Sequence, residues 1–154
     1  MFSRFEPIDI KWIKNVNSPT EDSYINVIGD NFQLYFPDIH EINAGTPQEG
    51  EIILLFQNIG LKKVFTHLVS PADNSLAKKD KSRDRHSFYR NVKIIAATPL
   101  EKIILVSTTL WNDVNFQGIG MGNVCQIKNI SSVNANNYDD LVKDVWNRFT
   151  PFLK

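Results

Sequence analysis

Two apolar runs close together, IILLFQ (residues 52–57) and VFTHLV (64–69), constrain this chain more than any other feature. Five or six uninterrupted apolar residues suit a strand covered on both faces, or one that closes a small barrel. They are far shorter than the ~20 residues of a membrane-spanning helix. The second run carries Thr66 and His67 in its middle, a hydroxyl and an imidazole where a dry core wants neither. Side chains alternate across a strand, so Phe65 and His67 are expected on one face and Thr66 and Leu68 on the other.

Strand-like content recurs along the chain. Ile8, Ile10 and Trp12 alternate within FEPIDIKWIKNV, with Pro7 at the start of that strand. SPTED (18–22) reads as a short helix opening, with Ser18 as cap, Pro19 in the first turn and Glu21 three residues after the cap. INVI and FQLYF flank Gly29-Asp30, a hairpin turn pair. DIHEINAGTPQEG (38–50) is polar and reads as one helical turn and a loop. After Pro71 comes a hydrophilic basic loop, residues 72–91, with a helical turn around SLAKK. VKIIAAT (92–98), EKIILVSTTLW (101–111) and VCQIKNI (124–130) are further strands, and the glycine-rich NDVNFQGIGMGNV is a loop between the last two.

The C-terminal stretch holds the one strong helix, residues 137–150. Leu141, Val142, Val145, Trp146 and Phe149 form a single apolar stripe. Asn137 can cap it, Asp139 and Asp140 favour its positive end, and Pro151 closes it. Strands do not alternate with long helices, which argues against a doubly wound fold. The expected architecture is a single α+β domain over residues 1–154, mostly β. It is a small closed or half-open β-barrel with flanking helices and a C-terminal amphipathic helix.

Composition narrows the function classes. A chain of 154 residues fits one domain, and 42% hydrophobic with 11% aromatic residues exclude a disordered chain. Seventeen basic and 17 acidic residues cancel, which removes a whole-molecule attraction to polyanions and leaves only local patches. The single Cys125 excludes an internal disulfide framework and a multi-cysteine zinc site, and fits a reducing compartment. Charges at Arg4, Glu6, Asp9 and Lys11 leave no room for a signal-peptide core, so a cytoplasmic protein without a membrane segment is expected.

Few positions carry candidate chemistry. His67 either reads the polar edge of a ligand in a groove or donates to a backbone carbonyl at a sheet rim. GIGMG (118–122) is followed by a strand, not a helix, so it reads as a flexible turn and not a dinucleotide loop. GxSxG, HExxH and paired-His spacings are absent from the sequence. Cys125 in VCQI reads as a small buried hydrophobe. A small hydrolase or nuclease would need Cys125 or nearby Asp residues to converge on His67 or His86. No catalytic residue, metal ligand or cofactor is assigned.

The segment 78–90 sets Lys78, Lys79, Lys81, Arg83, Arg85 and Arg90 against Asp80 and Asp84. It is either a solvated surface loop or one that tracks a phosphate backbone. Phe88 and Tyr89 follow the charges, where aromatics can stack on bases. Trp111 and Phe116 bracket Asn112, Asp113 and Asn115. That grouping is either a core anchor with a polar edge or the wall of a pocket for a planar base.

GEIILLFQ (50–57) resembles the GD-(apolar)-aromatic strand of the EVE family, a member of the PUA-like group with the YTH and ASCH families. In such domains another barrel strand follows, as VFTHLVSPAD could here, and a basic variable loop precedes strands such as VKIIAAT. The resemblance covers residues 48–97. Glu51 stands where the family has Asp, Phe56 where it has Tyr, and Trp111 aligns with no cage position by spacing. The resemblance implies a PUA-like barrel that binds RNA, or modified bases in DNA or RNA. It would put Phe56 and Gln57 at a strand end beside the pocket, with Trp111 as a cage wall.

The expectation is a non-enzymatic nucleic-acid-binding module that takes a modified or flipped base. Its ligand-binding set is Phe56, Gln57, His67, Trp111, Asn112 and Phe116. Phosphates would be held by Lys78, Lys79, Lys81, Arg83, Arg85 and Arg90. The alternative is a protein-interaction or oligomerisation domain, such as a homodimer, drawing on zero net charge and the aromatics of FSRF and RFTPF.

Overall fold

The computed structural model describes residues 5–16, 29–78, 88–119 and 123–154, and among these eight strands form one sheet. The strands are β1 (Ile10–Asn15), β2 (Asn31–Phe36), β3 (Ile52–Ile59), β4 (Lys62–Pro71), β5 (Ala77–Lys78), β6 (Phe88–Ala97), β7 (Ile104–Leu105) and β8 (Val124–Gln126). Their order is β2-β6-β4-β3-β1-β8, with β5 paired to β6 and β7 to β4. The two apolar runs form the centre of the sheet as the antiparallel β3–β4 pair. Gly60 turns the chain between them at φ +62°, a conformation that disfavours other residues.

The sheet curls into a half-barrel. Its gap is bridged by a four-residue helix, α1 (Glu41–Ala44), which lies against both β8 and β6. Asn43 Nδ2 donates to Asn123 Oδ1 at 3.1 Å beside one edge, and Arg90 Nη1 of β6 donates to Ala44 O at 3.0 Å near the other. The inner face buries Trp12, Leu34, Phe36, Ile53, Leu55, Val69, Val92 and Ile94. The outer face buries Ile10, Ile13, Ile52, Leu54, Phe56, Phe65 and Leu68 under a second helix, α2 (Tyr138–Phe149).

The apolar stripe of α2 is the one expected: Leu141, Val142, Val145 and Phe149 are buried. Each such side chain stabilises the fold by roughly 1.5–3 kcal/mol relative to exposure. Asn137 precedes the helix without capping it through its side chain. Its Oδ1 accepts from Asn134 N and its Nδ2 donates to Ser132 O instead. Tyr138 OH donates to Ile10 O at 2.7 Å, which fixes α2 to the start of β1. Among the described residues no helix is long and apolar enough to cross a membrane.

Thr66 and His67 interrupt the run because β4 carries a bulge there. Leu55 pairs with His67 and Phe56 with Phe65, so Thr66 is an extra residue in the ladder. Plain alternation therefore fails: Phe65 and Leu68 both belong to the outer core, while His67 turns inward, 5.8 Å from the Phe32 ring. His67 Nδ1 and Thr66 Oγ1 share a hydrogen bond of 2.8 Å, and both residues are fully buried. A second bulge follows on β6, where Leu68 pairs with Ala96 and Val69 with Ile94, leaving Ile95 as the extra residue. A third irregularity in β1 splits Ile10 and Trp12 between the two cores, and Ile8 lies in a 3-10 turn over Pro7–Asp9.

Other expectations are corrected. EKIILVSTTLW is a strand only at Ile104–Leu105, after which 3-10 turns carry the chain (Val106–Thr108 and Leu110–Asp113). VCQIKNI leaves the sheet after Gln126. The stretch around SLAKK contains the two-residue strand β5 instead of a helical turn, and β6 starts at Phe88, inside the expected basic loop. The SPTED helix opening, the INVI half of the hairpin, residues 79–87 and most of the GIGMG glycines lie outside the described residues.

Candidate functional site

A cleft of about 400 Å³ opens at the β3–β4 turn, on the outer side of the sheet and beyond the cover of α2. Leu61, Lys62 and Lys63 form one wall. Leu105, Val106 and Ser107 form the second, and Asn112, Val114, Asn115, Phe116 and Gln117 the third. The volume falls within the range of small-molecule sites. Among the described lining residues the two ionisable groups are both ammonium groups, and the other polar ones are three amides and a hydroxyl. Such a lining favours an anionic ligand with hydrogen-bonding edges.

The third wall is held by α2. Trp111 Nε1 donates to Leu141 O at 2.9 Å, and Leu110 N donates to Asp144 Oδ2 at 2.9 Å. Asn115 Oδ1 accepts from Gln117 N at 3.0 Å, and Ser132 Oγ accepts from Asn115 N at 2.9 Å. An aromatic ladder runs from the core to the opening. Phe65 meets Trp111 edge-on at 5.6 Å, Trp111 lies 6.4 Å from Phe116, and Phe116 packs on Phe56 at 5.0 Å. Lys63 Nζ ends the ladder, 4.3 Å from the centroid of Phe116 and 5.7 Å from that of Phe56. Partial burial lowers the Lys63 pKa from its ordinary value.

The structure divides the expected ligand set. Asn112 and Phe116 line the cleft, and Phe56 lies directly behind Phe116. Trp111 is fully buried with its indole N–H bonded to the helix, so in this arrangement it is a core anchor with no open face. Gln57 follows outward-facing Phe56 along β3 and so turns inward, as His67 does. Neither reaches the cleft. Gln57 Nε2 finds no hydrogen-bond partner among the described residues.

The expected phosphate set divides as well. Lys78 is exposed on β5, with Nζ 5.7 Å from the Phe88 ring. Arg90 is fully buried, its guanidinium donating to Ala44 O and to Asp73 O at 3.0 and 2.9 Å. It fastens β6 to α1 and to the chain after β4, and is closed to a phosphate in this arrangement. Lys79, Lys81, Arg83, Arg85 and His86 lie outside the described residues. Sequence reasoning missed Gln117 and, above all, the cations Lys62 and Lys63. Their signal was the KK of NIGLKK, two cations directly after a glycine turn between strands.

Cys125 pairs with Ile13 on β1 and packs against the outer core, whereas His67 faces inward, so the two do not form a dyad. Burial pushes the Cys125 thiol pKa up. Among the described residues no group of three or more His, Cys, Asp or Glu side chains could hold a metal ion. No family model matches the chain, and neither a curated protein nor a solved structure matches it.

Proposed function

We propose that this protein is a non-enzymatic nucleic-acid-binding module of PUA-like character, and that the cleft at the β3–β4 turn receives a base, modified or flipped, together with its phosphate. The single observation that carries the reading is a half-buried aromatic ring, Phe116, capped by the Lys63 ammonium in a cleft with no carboxylate among its described lining residues. Lys62 and Lys63 supply charge for a phosphate, Phe116 an apolar surface, and Asn112, Asn115 and Gln117 amides for a base edge. The EVE-like GEIILLFQ strand supports the same reading, since Phe56 supports Phe116 from behind.

The test is fluorescence anisotropy of labelled oligonucleotides, with and without modified bases, across a salt series. Salt-sensitive binding that weakens about tenfold in a folded Lys63→Met/Asn112→Ala double variant is expected, since one edge contact and one charge contact are both lost. Binding identical to the parent in that variant refutes the cleft. No binding by the parent at low salt refutes the function.

A protein-interaction module is the second reading. Ile39, in the 3-10 turn before α1, and Ile42, in α1, favour it, standing 86% and 85% exposed. The aromatics of RFTPF do not, because Phe149 is buried and Phe152 packs against the outer core. A concentration-dependent dimer in sedimentation, abolished by Ile42→Glu, would favour it over nucleic-acid binding.

A further inference from the structure

The tip of the β3–β4 hairpin carries the most exposed large apolar side chain among the described residues. Ile59 pairs with Lys62, so the loop is Gly60 and Leu61 alone. Gly60 takes the left-handed φ of +62° that so tight a turn uses. Strand pairing on both sides therefore holds the tip in place, and Leu61 stands 106% exposed upon it. Leu61 also lines the cleft, which sets it apart from the exposed Leu100 and Leu110. Lys62, exposed, comes next, and then Lys63, whose ammonium lies 4.3 Å from the Phe116 centroid. One short turn thus presents an apolar point and two cations in succession at the lip of the cleft.

We infer that Leu61 is a wedge that enters the base stack of a duplex, beside a nucleotide turned out into the cleft. The inference rests on the nucleic-acid reading above and names the form of the partner, a double strand. A nucleotide that leaves a duplex opens a gap, and apolar side chains pushed between base steps offset the cost of unstacking. Such a side chain has to project from the fold, because a stacked duplex does not enter a concave site. It has to be held firmly, so that little conformational freedom is lost on insertion. It also has to adjoin the pocket that takes the base. Leu61 meets each condition, and Lys62 and Lys63 place charge where phosphates flank the gap. A single strand has no gap to fill and would give Leu61 nothing to do. A protein partner would bury a cluster of apolar neighbours, whereas Asn58, Gly60 and Lys62 are exposed around this tip.

The experiment uses a labelled duplex with 2-aminopurine at a central mismatch, and the matching single strand, with the parent, Leu61→Ala and Leu61→Met. An exposed tip residue makes few contacts to lose, so both variants should fold. In the parent, 2-aminopurine fluorescence should rise on binding the duplex, as the base leaves the stack. Leu61→Ala should lose that rise and about tenfold or more of its duplex affinity, while its single-strand affinity stays within about twofold of the parent. Leu61→Met, unbranched but as long, should keep both signals. Unchanged duplex affinity and fluorescence in Leu61→Ala overturn the wedge and leave the cleft reading standing. Equal losses for duplex and single strand do the same, since Leu61 is then only a wall of the cleft. So does a parent that binds the single strand alone, or binds the duplex without a rise in fluorescence. A parent that binds neither form removes the nucleic-acid reading, and the wedge with it.

Discussion

Lys14 provides the sharpest quantitative test of the fold. Its side chain, 2% exposed, points into the curl from β1, with Nζ 4.5 Å from the Phe36 ring centroid. Burial lowers its pKa from 10.5 to about 7, and its charge in turn adds to the depression of the His40 imidazole, itself caused first by burial. The unfolded chain therefore holds more protons than the folded one between about pH 7 and pH 10.5, so stability must rise with pH through that window. Going up, the contribution is complete only above the unfolded pKa; going down, it is lost until the folded pKa is passed. Each unit of separation is worth about 1.36 kcal/mol, so raising the pH from about 7.5 to about 9.5 should add about 2.5 kcal/mol. Lys14→Met keeps the stem and removes the titration. Urea midpoints of parent and variant at the two pH values should show the parent gaining about 1–2 M over the variant. The comparison of slopes cancels the other titrating groups. If the two proteins shift equally, Lys14 is charged in the folded state and the burial argument fails.

Further outcomes follow from contacts away from the proposed sites. Arg90→Met should cost about 3 kcal/mol in urea unfolding, because a buried and a part-buried carbonyl lose their donor, and should leave oligonucleotide affinity unchanged. Tyr138→Phe should cost about 1–3 kcal/mol by the same measurement, leaving Ile10 O unpaired. In an ultraviolet titration of the parent, one phenol should ionise late, since burial pushes Tyr138 up to about 12, and that component should vanish in Tyr138→Phe. Gly50→Ala should lower stability by roughly 1–2 kcal/mol although nothing crowds an added Cβ, because φ there is +88°.

The centre of the fold was legible in the sequence because burial on both faces writes an unbroken apolar run, as in β3 and β4, and because α2 repeats its stripe at helical spacing. The short strand β5 was not legible, and β7 was legible only as part of a longer expected strand. Two residues carry no period, and the pairing that defines them comes from β6 and β4. Arg90 was misread for the same kind of reason: a cation inside a run of cations looks solvated, and only α1, 46 positions earlier in the chain, turns it into a buried fastening. Trp111 read either as a core anchor or as a pocket wall until Leu141 O supplied the indole with an internal acceptor. The cleft itself joins a turn at 61–63 to a segment at 112–117, a proximity that no local pattern records.

The bulge at Thr66 also sets a rule of parity for this chain. Upstream of it, odd-numbered positions of β4 face outward, as Phe65 does; beyond it the even-numbered Leu68 does. Deleting Thr66 would restore plain alternation in the ladder and at the same stroke slide every later residue of β4 by one place against β6, where the extra Ile95 is already seated. The two odd residues are thus locked together: either can change in kind, but neither can be lost alone. Length, more than chemistry, is what this part of the chain must conserve.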